Sequence, residues 1–281
     1  MAVDHHTPAG SGLGKETEYA SLYDARLLYP IPRATARQSL GIGEPLPFYG
    51  VDLWTAWELS WLNSQGLPQV AVAELAVPID SANIVESKSL KLYCNSFNQT
   101  QFADWSSVAA TMEKDLTQAT GAPVAVRLMT LTEAEEYYQK GRFEGAFCLD
   151  ELPVTIEHYH PEPALLRLDS ARAEVVSESL VSHLLKTNCP VTGQPDWASL
   201  WLSYTGPAID RESLLAFIVS FREHQDFHEQ CVERFFLEIR DRLRPTELSV
   251  YARYTRRGGL DINPYRSSDN TRPAPLRLVR Q

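Results

Sequence analysis

Gly193-Gln194-Pro195-Asp196 answers Gly66-Leu67-Pro68-Gln69 at an offset of 127 residues, and each quartet leads through an apolar run to a second shared signature, Pro207-Ala208-Ile209-Asp210 or Pro78-Ile79-Asp80. The correspondence continues. Ser213-Leu214 and Ser220-Phe221 follow Ser89-Leu90 and Ser96-Phe97 at an offset of 124, and Phe227 answers Phe102. Self-similarity at a steady spacing is the mark of one structural unit written twice. Trp57, Leu59 and Trp61 alternate with Glu58 and Ser60, and Gln69 to Val77 is a second apolar run, which together predict two antiparallel strands. Leu90, Tyr93, Cys94 and Phe97 fall at helical spacing, as do Val108, Met112 and Leu116, and Val124 to Leu131 returns to strand. The expected class is α+β: two tandem strand-strand-helix-helix-strand modules, each an antiparallel sheet with helices on one face.

The flanks bound the modules. Residues 1–50 carry Pro30, Pro32, Pro45 and Pro47 with little periodicity and read as an extended arm lying on the surface. The run Gly10-Ser11-Gly12-Leu13-Gly14 follows no strand pattern, so it reads as tail and not as a dinucleotide loop. His158, His160, Pro161 and Pro163 punctuate a polar stretch, which places the modules at 51–162 and 163–281.

Composition narrows the function. Of the 281 residues 44% are hydrophobic, ample for a packed core, and no apolar run approaches the roughly 20 residues of a membrane span. The polar N-terminus lacks the order of a signal peptide, so a cytoplasmic location is expected. Four well-separated cysteines, Cys94, Cys148, Cys189 and Cys231, show neither Cys-x-x-Cys nor Cys/His spacing, and they read as free thiols without a metal. A net charge of −10 opposes a phosphate backbone, so direct nucleic-acid binding is not expected and any anionic ligand needs a local basic patch.

The copies differ where chemistry is richest. On the offsets above, Cys189 faces Leu62, Asp196 faces Gln69, and His228-Glu229 face Ala103-Asp104. Conversely Lys88 and Lys91, within Glu86-Ser87-Lys88-Ser89-Leu90-Lys91, are absent from Asp210-Arg211-Glu212-Ser213-Leu214-Leu215. A site shared between modules accounts for the division. Pro190 and Pro195 stiffen the loop around Cys189, and Gly193 supplies turn geometry, so a nucleophilic thiol and a proton-donating carboxylate sit at its two ends. His228 is the candidate base. From these residues alone Cys189 also reads as a small buried hydrophobe, Asp196 as a turn former and His228 as a structural histidine. A thiol-dependent transferase or hydrolase, with Cys189 attacking and His228 activating it, is the activity these residues suggest by themselves. The six tryptophans are left to packing.

Four motifs in order, Glu86-Ser87-Lys88-Ser89-Leu90-Lys91-Leu92-Tyr93, Cys189-Pro190-x-Thr192-Gly193-Gln194-Pro195-Asp196, Phe227-His228-Glu229 and Arg257-Gly258-Gly259-x-Asp261-Ile262-Asn263-Pro264, resemble the QueF family of queuosine-pathway nitrile reductases in its long two-module form. The resemblance runs from about Tyr29 to Arg266. It implies tunnelling-fold (T-fold) modules and NADPH-dependent reduction of 7-cyano-7-deazaguanine to the aminomethyl compound, with no metal and an expected homodimer. It further implies that Cys189 forms a thioimide, that Asp196 gives the proton, and that His228 lies by the substrate and nucleophile. Val85, Glu86, Ser87, Phe227 and Glu229 would contact the base, and Ser87, Lys88, Arg257 and Gly258 the cofactor, with Lys91 added to the basic patch. The alternative the same fold implies is a purine- or pterin-binding module without redox chemistry, related to the zinc-dependent GTP cyclohydrolases, whose metal ligands are missing around Cys189.

Overall fold

The computed structural model describes residues 20–140 and 143–281; the glycine run at 10–14 lies outside them. In chain order the elements are β1 Pro30–Pro32, α1 Arg33–Ser39, β2 Tyr49–Leu62, β3 Pro68–Pro78, β4 Asn83–Val85, α2 Ser87–Ser96, α3 Trp105–Thr120, β5 Ala125–Met129, α4 Leu131–Tyr137, β6 Gln139–Lys140 and β7 Phe147–Cys148. The second half follows with β8 Val175–Asn188, β9 Pro195–Pro207, α5 Arg211–Ser220, α6 His228–Leu243, β10 Glu247–Tyr254, β11 Leu260–Ser267 and β12 Leu276–Arg277.

One eight-stranded sheet in the order β5-β3-β2-β11-β10-β9-β8-β7 carries both halves. Its pairs are antiparallel except β7 with β8. The halves join where β11 lies against β2, pairing Ile262 with Trp54 and Leu260 with Ala56. This is the α+β class expected, with the two modules' strands fused into a single sheet. Strand alternation sends one set of side chains from each half into its own helix-covered core. Leu59, Trp61, Leu75, Tyr93, Phe97 and Met112 fill the first, and Leu202, Phe217, Phe221, Phe235 and Phe236 the second. The other face is covered by a smaller cluster including Val51, Val181, Tyr251 and Tyr265.

The repeat is visible in detail. Each β-hairpin has an irregular register, between Ala56 and Leu59 in β2 and between Ser182 and Leu185 in β8. Gly66 and Gly193 both take positive φ, at 79° and 68°, and parallel bridges join Leu62 to Gln101 and Asn188 to Gln225. Ser89 and Ser213 each bond the carbonyl three residues back in the first turn of their helices, as do Ser96 and Ser220 near the ends.

These landmarks correct the register read from sequence. Leu62 pairs with Pro68 and Asn188 with Pro195, so the second hairpin loop is one residue longer and Cys189 occupies the place of Asn63, not Leu62. Helices α3 and α6 are both 16 residues long, which sets His228 against Trp105 and not Ala103. An insertion in one loop and a deletion in another shift the offset, and matching phenylalanines alone does not reveal them.

Residues 30–37 send Ile31, Arg33 and Arg37 into the interior. β1 pairs with β4, and α1 buries Arg33 and Arg37 in a network of five charged residues. Arg33 and Arg266 bind the two oxygens of Asp52 at 2.6 and 2.7 Å, while Arg37 and Arg266 bind Glu233 at 2.7 and 2.9 Å. Asp52 comes from β2, Arg266 from β11 and Glu233 from α6, so the network ties the start of the chain to both halves.

Candidate active site

The N-termini of α2 and α6 converge with the β8–β9 loop beside the β2–β11 seam and line a partly open pocket. Val85, Glu86 and Ser87 enter it from the first half; Phe227, His228 and Glu229 from the start of α6; Cys189 and Asp196 from the hairpin; and Arg257 from the turn before β11. Nine of the residues named from sequence therefore share one cavity. Lys88 and Gly258 do not line it.

The hairpin holds its reactive pair by backbone bonds. The Cys189 N–H donates to the Gln194 carbonyl at 2.9 Å, and the Gly193 N–H donates to the Cys189 carbonyl at 3.0 Å. Asp196 is the second residue of β9, opposite Thr187. Cys189 and Asp196 are both buried. Around Asp196 stand His228, with Nε2 at 3.3 Å, and Arg257, with Nη1 at 3.0 Å. Burial would raise the Asp196 pKa, but the His228 hydrogen bond and the charges of His228, Arg257 and Lys91 outweigh it and hold the carboxyl below its ordinary range. The free site thus keeps Asp196 as a carboxylate. His228 is clamped from the other side by Tyr254, whose ring stacks on it at 3.7 Å. Its Nδ1 is buried without a partner among the described residues.

Lys91 belongs to the same electrostatic cluster. Burial first, then the charge of Arg257, lower its pKa, while Glu86, Asp196 and Cys189 pull the other way. Gly258 has φ +60°, and a Cβ there would come within 3.2 Å of the Lys91 side chain. The glycine lets the turn close over the lysine.

The two glutamates are in different states. Glu86 caps α2, accepting from the Lys88 N–H at 2.7 Å and the Ser89 N–H at 2.8 Å, so both of its oxygens already have partners. Glu229 has one oxygen, Oε1, buried and without a partner among the described residues. Its carboxyl is pushed up to about 8, by burial first and then by the charge of Asp52, with Arg33 and Arg266 opposing. A buried acceptor facing a cavity without its own partner is a ligand group in waiting, since leaving it unmet costs about 1–3 kcal/mol.

Sequence reading missed Trp54, Ile262 and Asp226, which also line the pocket, and Tyr254. Trp54 and Ile262 meet only through the β2–β11 pairing, a contact between distant segments that no local pattern announces.

Fold and site bring a cysteine, a carboxylate and a histidine together in one pocket beside the seam between two related halves of a single sheet. Residues 19–128 match the family model described as nitrile reductase, 7-cyano-7-deazaguanine-reductase N-term, and residues 195–273 match that described as QueF-like protein. The chain belongs to the QueF nitrile reductase family. Cys189 lies just before the second matched stretch. Among solved structures, one described as the archaeosine synthase QueF-Like in the apo form is 14% identical over 35% of this chain and 96% of its own, with a TM-score of 0.30.

Proposed function

We propose that the protein reduces 7-cyano-7-deazaguanine to 7-aminomethyl-7-deazaguanine with NADPH, through a thioimide on Cys189. The observation that carries this reading is the convergence of Cys189, the ionised Asp196 and the unpartnered Glu229 on one pocket. The pocket mixes apolar walls with a few convergent polar groups, the make-up of a small-molecule site. Glu229 would accept the N–H donors of the guanine-like edge, and a base presenting acceptors there would be rejected. Phe227 and Trp54 offer flat apolar walls.

The first step balances within the chain's own groups. Asp196 takes the thiol proton of Cys189, the thiolate adds to the nitrile carbon, and the new carboxylic acid returns the proton to the nitrile nitrogen. Lys91 and Arg257 place positive charge beside the sulfur while it is anionic. His228 then stabilises Asp196 as it becomes a carboxylate again.

NADPH, when bound, supplies the hydride for each reduction. Arg257 and Lys91 carry the positive charge and Gly258 and Gly259, both at positive φ, the bare backbone suited to an anionic cofactor at the pocket mouth. Ser87 and Lys88 follow directly after Glu86 at the N-terminus of α2. Arg257 is shared with Asp196, so it links cofactor contact to the proton donor. Residues 51–162 and 163–281 are the two modules in this reading, and a homodimer is the expected assembly.

The test is intact-mass measurement after mixing with the nitrile alone. A gain of one nitrile mass in wild type and none in Cys189→Ala supports the reading; the same gain in both refutes it. A thiol transferase would leave NADPH untouched, which the nicotinamide absorbance reads when the nitrile and NADPH are added together.

A further inference from the structure

A second cluster of reactive side chains lies at the far end of the sheet, on the edge strand β7. β7 runs parallel to β8, with Cys148 opposite Val181, and the Leu149 N–H bonds the Val181 carbonyl at 2.9 Å. Leu149 is buried, so strand alternation puts its neighbours Cys148 and Asp150 together on the opposite side. His183, two residues beyond Val181, sits in the irregular stretch of β8 between Ser182 and Leu185. Such bulges re-aim a side chain. The Cys148 sulfur, an Asp150 carboxylate oxygen and a His183 ring nitrogen lie within 4.8 Å of one another.

Two of the three are fixed by a surrounding shell. Ser182 Oγ donates to Asp150 at 2.7 Å, and the His183 N–H reaches both Asp150 oxygens at 3.1 Å. His183 Nδ1 pairs with Ser199 Oγ at 2.7 Å, which leaves Nε2 as the free donor. This is the usual support of a ligating histidine, whose other nitrogen is held by a hydrogen bond that sets tautomer and ring orientation. Arg280 is the cation facing the cluster; its Nη2 bonds Ser199 Oγ at 2.9 Å and the His183 carbonyl at 3.2 Å. Asp150 and an ionised Cys148 outnumber its charge.

We propose that Cys148, Asp150 and His183 form a binding site for a divalent transition ion of borderline softness, Zn²⁺ or Co²⁺, separate from the nitrile pocket. One thiolate, one imidazole and one carboxylate suit such ions better than Mg²⁺ or Ca²⁺. Bonds of about 2.0–2.3 Å in a tetrahedron put ligand atoms roughly 3.3–3.7 Å apart, a distance the exposed Cys148 side chain closes by rotation. Three protein ligands leave the fourth position open, so the ion is exchangeable. Binding releases the Cys148 thiol proton to solvent. The sequence hid the site because Asp150 and His183 are 33 residues apart and meet only through the β7–β8 pairing.

The test is titration of the full-length, chelator-stripped protein with CoCl₂, following the thiolate-to-cobalt charge-transfer absorption. Wild type and Cys189→Ala should develop the same band, Cys148→Ser should lose it, and Ser199→Ala should weaken binding by about 10–100-fold. Nitrile reduction should be unchanged in Cys148→Ser. Absence of the band in wild type, or a band that survives Cys148→Ser and vanishes in Cys189→Ala, overturns the proposal.

Discussion

Replacing Glu229 with glutamine should flatten a pH dependence built into the fold. The carboxyl ordinarily titrates near 4.5 and is raised to about 8 by burial and by the charge of Asp52. Between those values the folded protein holds a proton that the unfolded chain has released, so the Glu229 contribution to stability is fully present below about 4.5 and is lost as pH rises towards 8. At 1.36 kcal/mol per pH unit, the span from 4.5 to about 8 corresponds to about 5 kcal/mol. Glutamine has nearly the same shape and cannot ionise. Urea unfolding at fixed pH values from 5.5 to 9 should therefore show wild type losing about 1.4 kcal/mol per pH unit relative to Glu229→Gln, with the difference levelling above about pH 8. Parallel stability profiles would refute the claim that Glu229 is protonated in the free pocket.

Other outcomes follow from the same geometry. If the ionised Glu229 meets the N–H edge of the base, nitrile affinity of Cys189→Ala should rise up to about tenfold per pH unit between pH 6 and 8, measured by calorimetry; a flat profile would remove Glu229 from base recognition. Asp196→Asn should fold and lose about 10²–10⁴ in turnover, the usual contribution of one positioned acid–base group, whereas unchanged turnover returns Asp196 to a turn former. Glu233→Gln removes a charge from a buried network and should cost about 3–5 kcal/mol in urea unfolding, and a loss below about 1 kcal/mol would show that Arg37 and Arg266 find other partners. Four electrons separate nitrile from primary amine, so two NADPH should be consumed per amine; a ratio near one would refute the assigned reaction.

The legible part of the molecule was local. Alternation at Trp57 to Trp61 and helical spacing at Leu90 to Phe97 announced β2 and α2, because those signals depend on neighbours in sequence. The catalytic-loop motif was equally readable, since proline and glycine shape a loop without outside help. Illegible features were those made by pairing distant segments. The buried Arg33, Arg37, Asp52, Glu233 and Arg266 look like ordinary surface charges in the sequence, and only the meeting of α1, β2, β11 and α6 buries them together. The proline-rich stretch before residue 50 read as an arm for the same reason: Ile31 and Phe48 belong to no periodic pattern there, yet both are buried.

That network also ties α1 to the pocket. Glu229 lies one helical turn before Glu233 on α6, and its proton is held partly by the Asp52 charge, which Arg33 and Arg266 in turn offset. Arg33 comes from α1, Asp52 from the first half, and Arg266 and Glu229 from the second. A change in any of the four therefore alters the charge state of a group that lines the pocket, although the other three never line it. The duplicated unit supplies two similar frames, and the differences between copies furnish the chemistry. The first copy gives Glu86 to the pocket and Lys91 to the charge cluster beside it, the second gives Cys189, Asp196, His228 and Glu229, and the β2–β11 seam brings the two sets together.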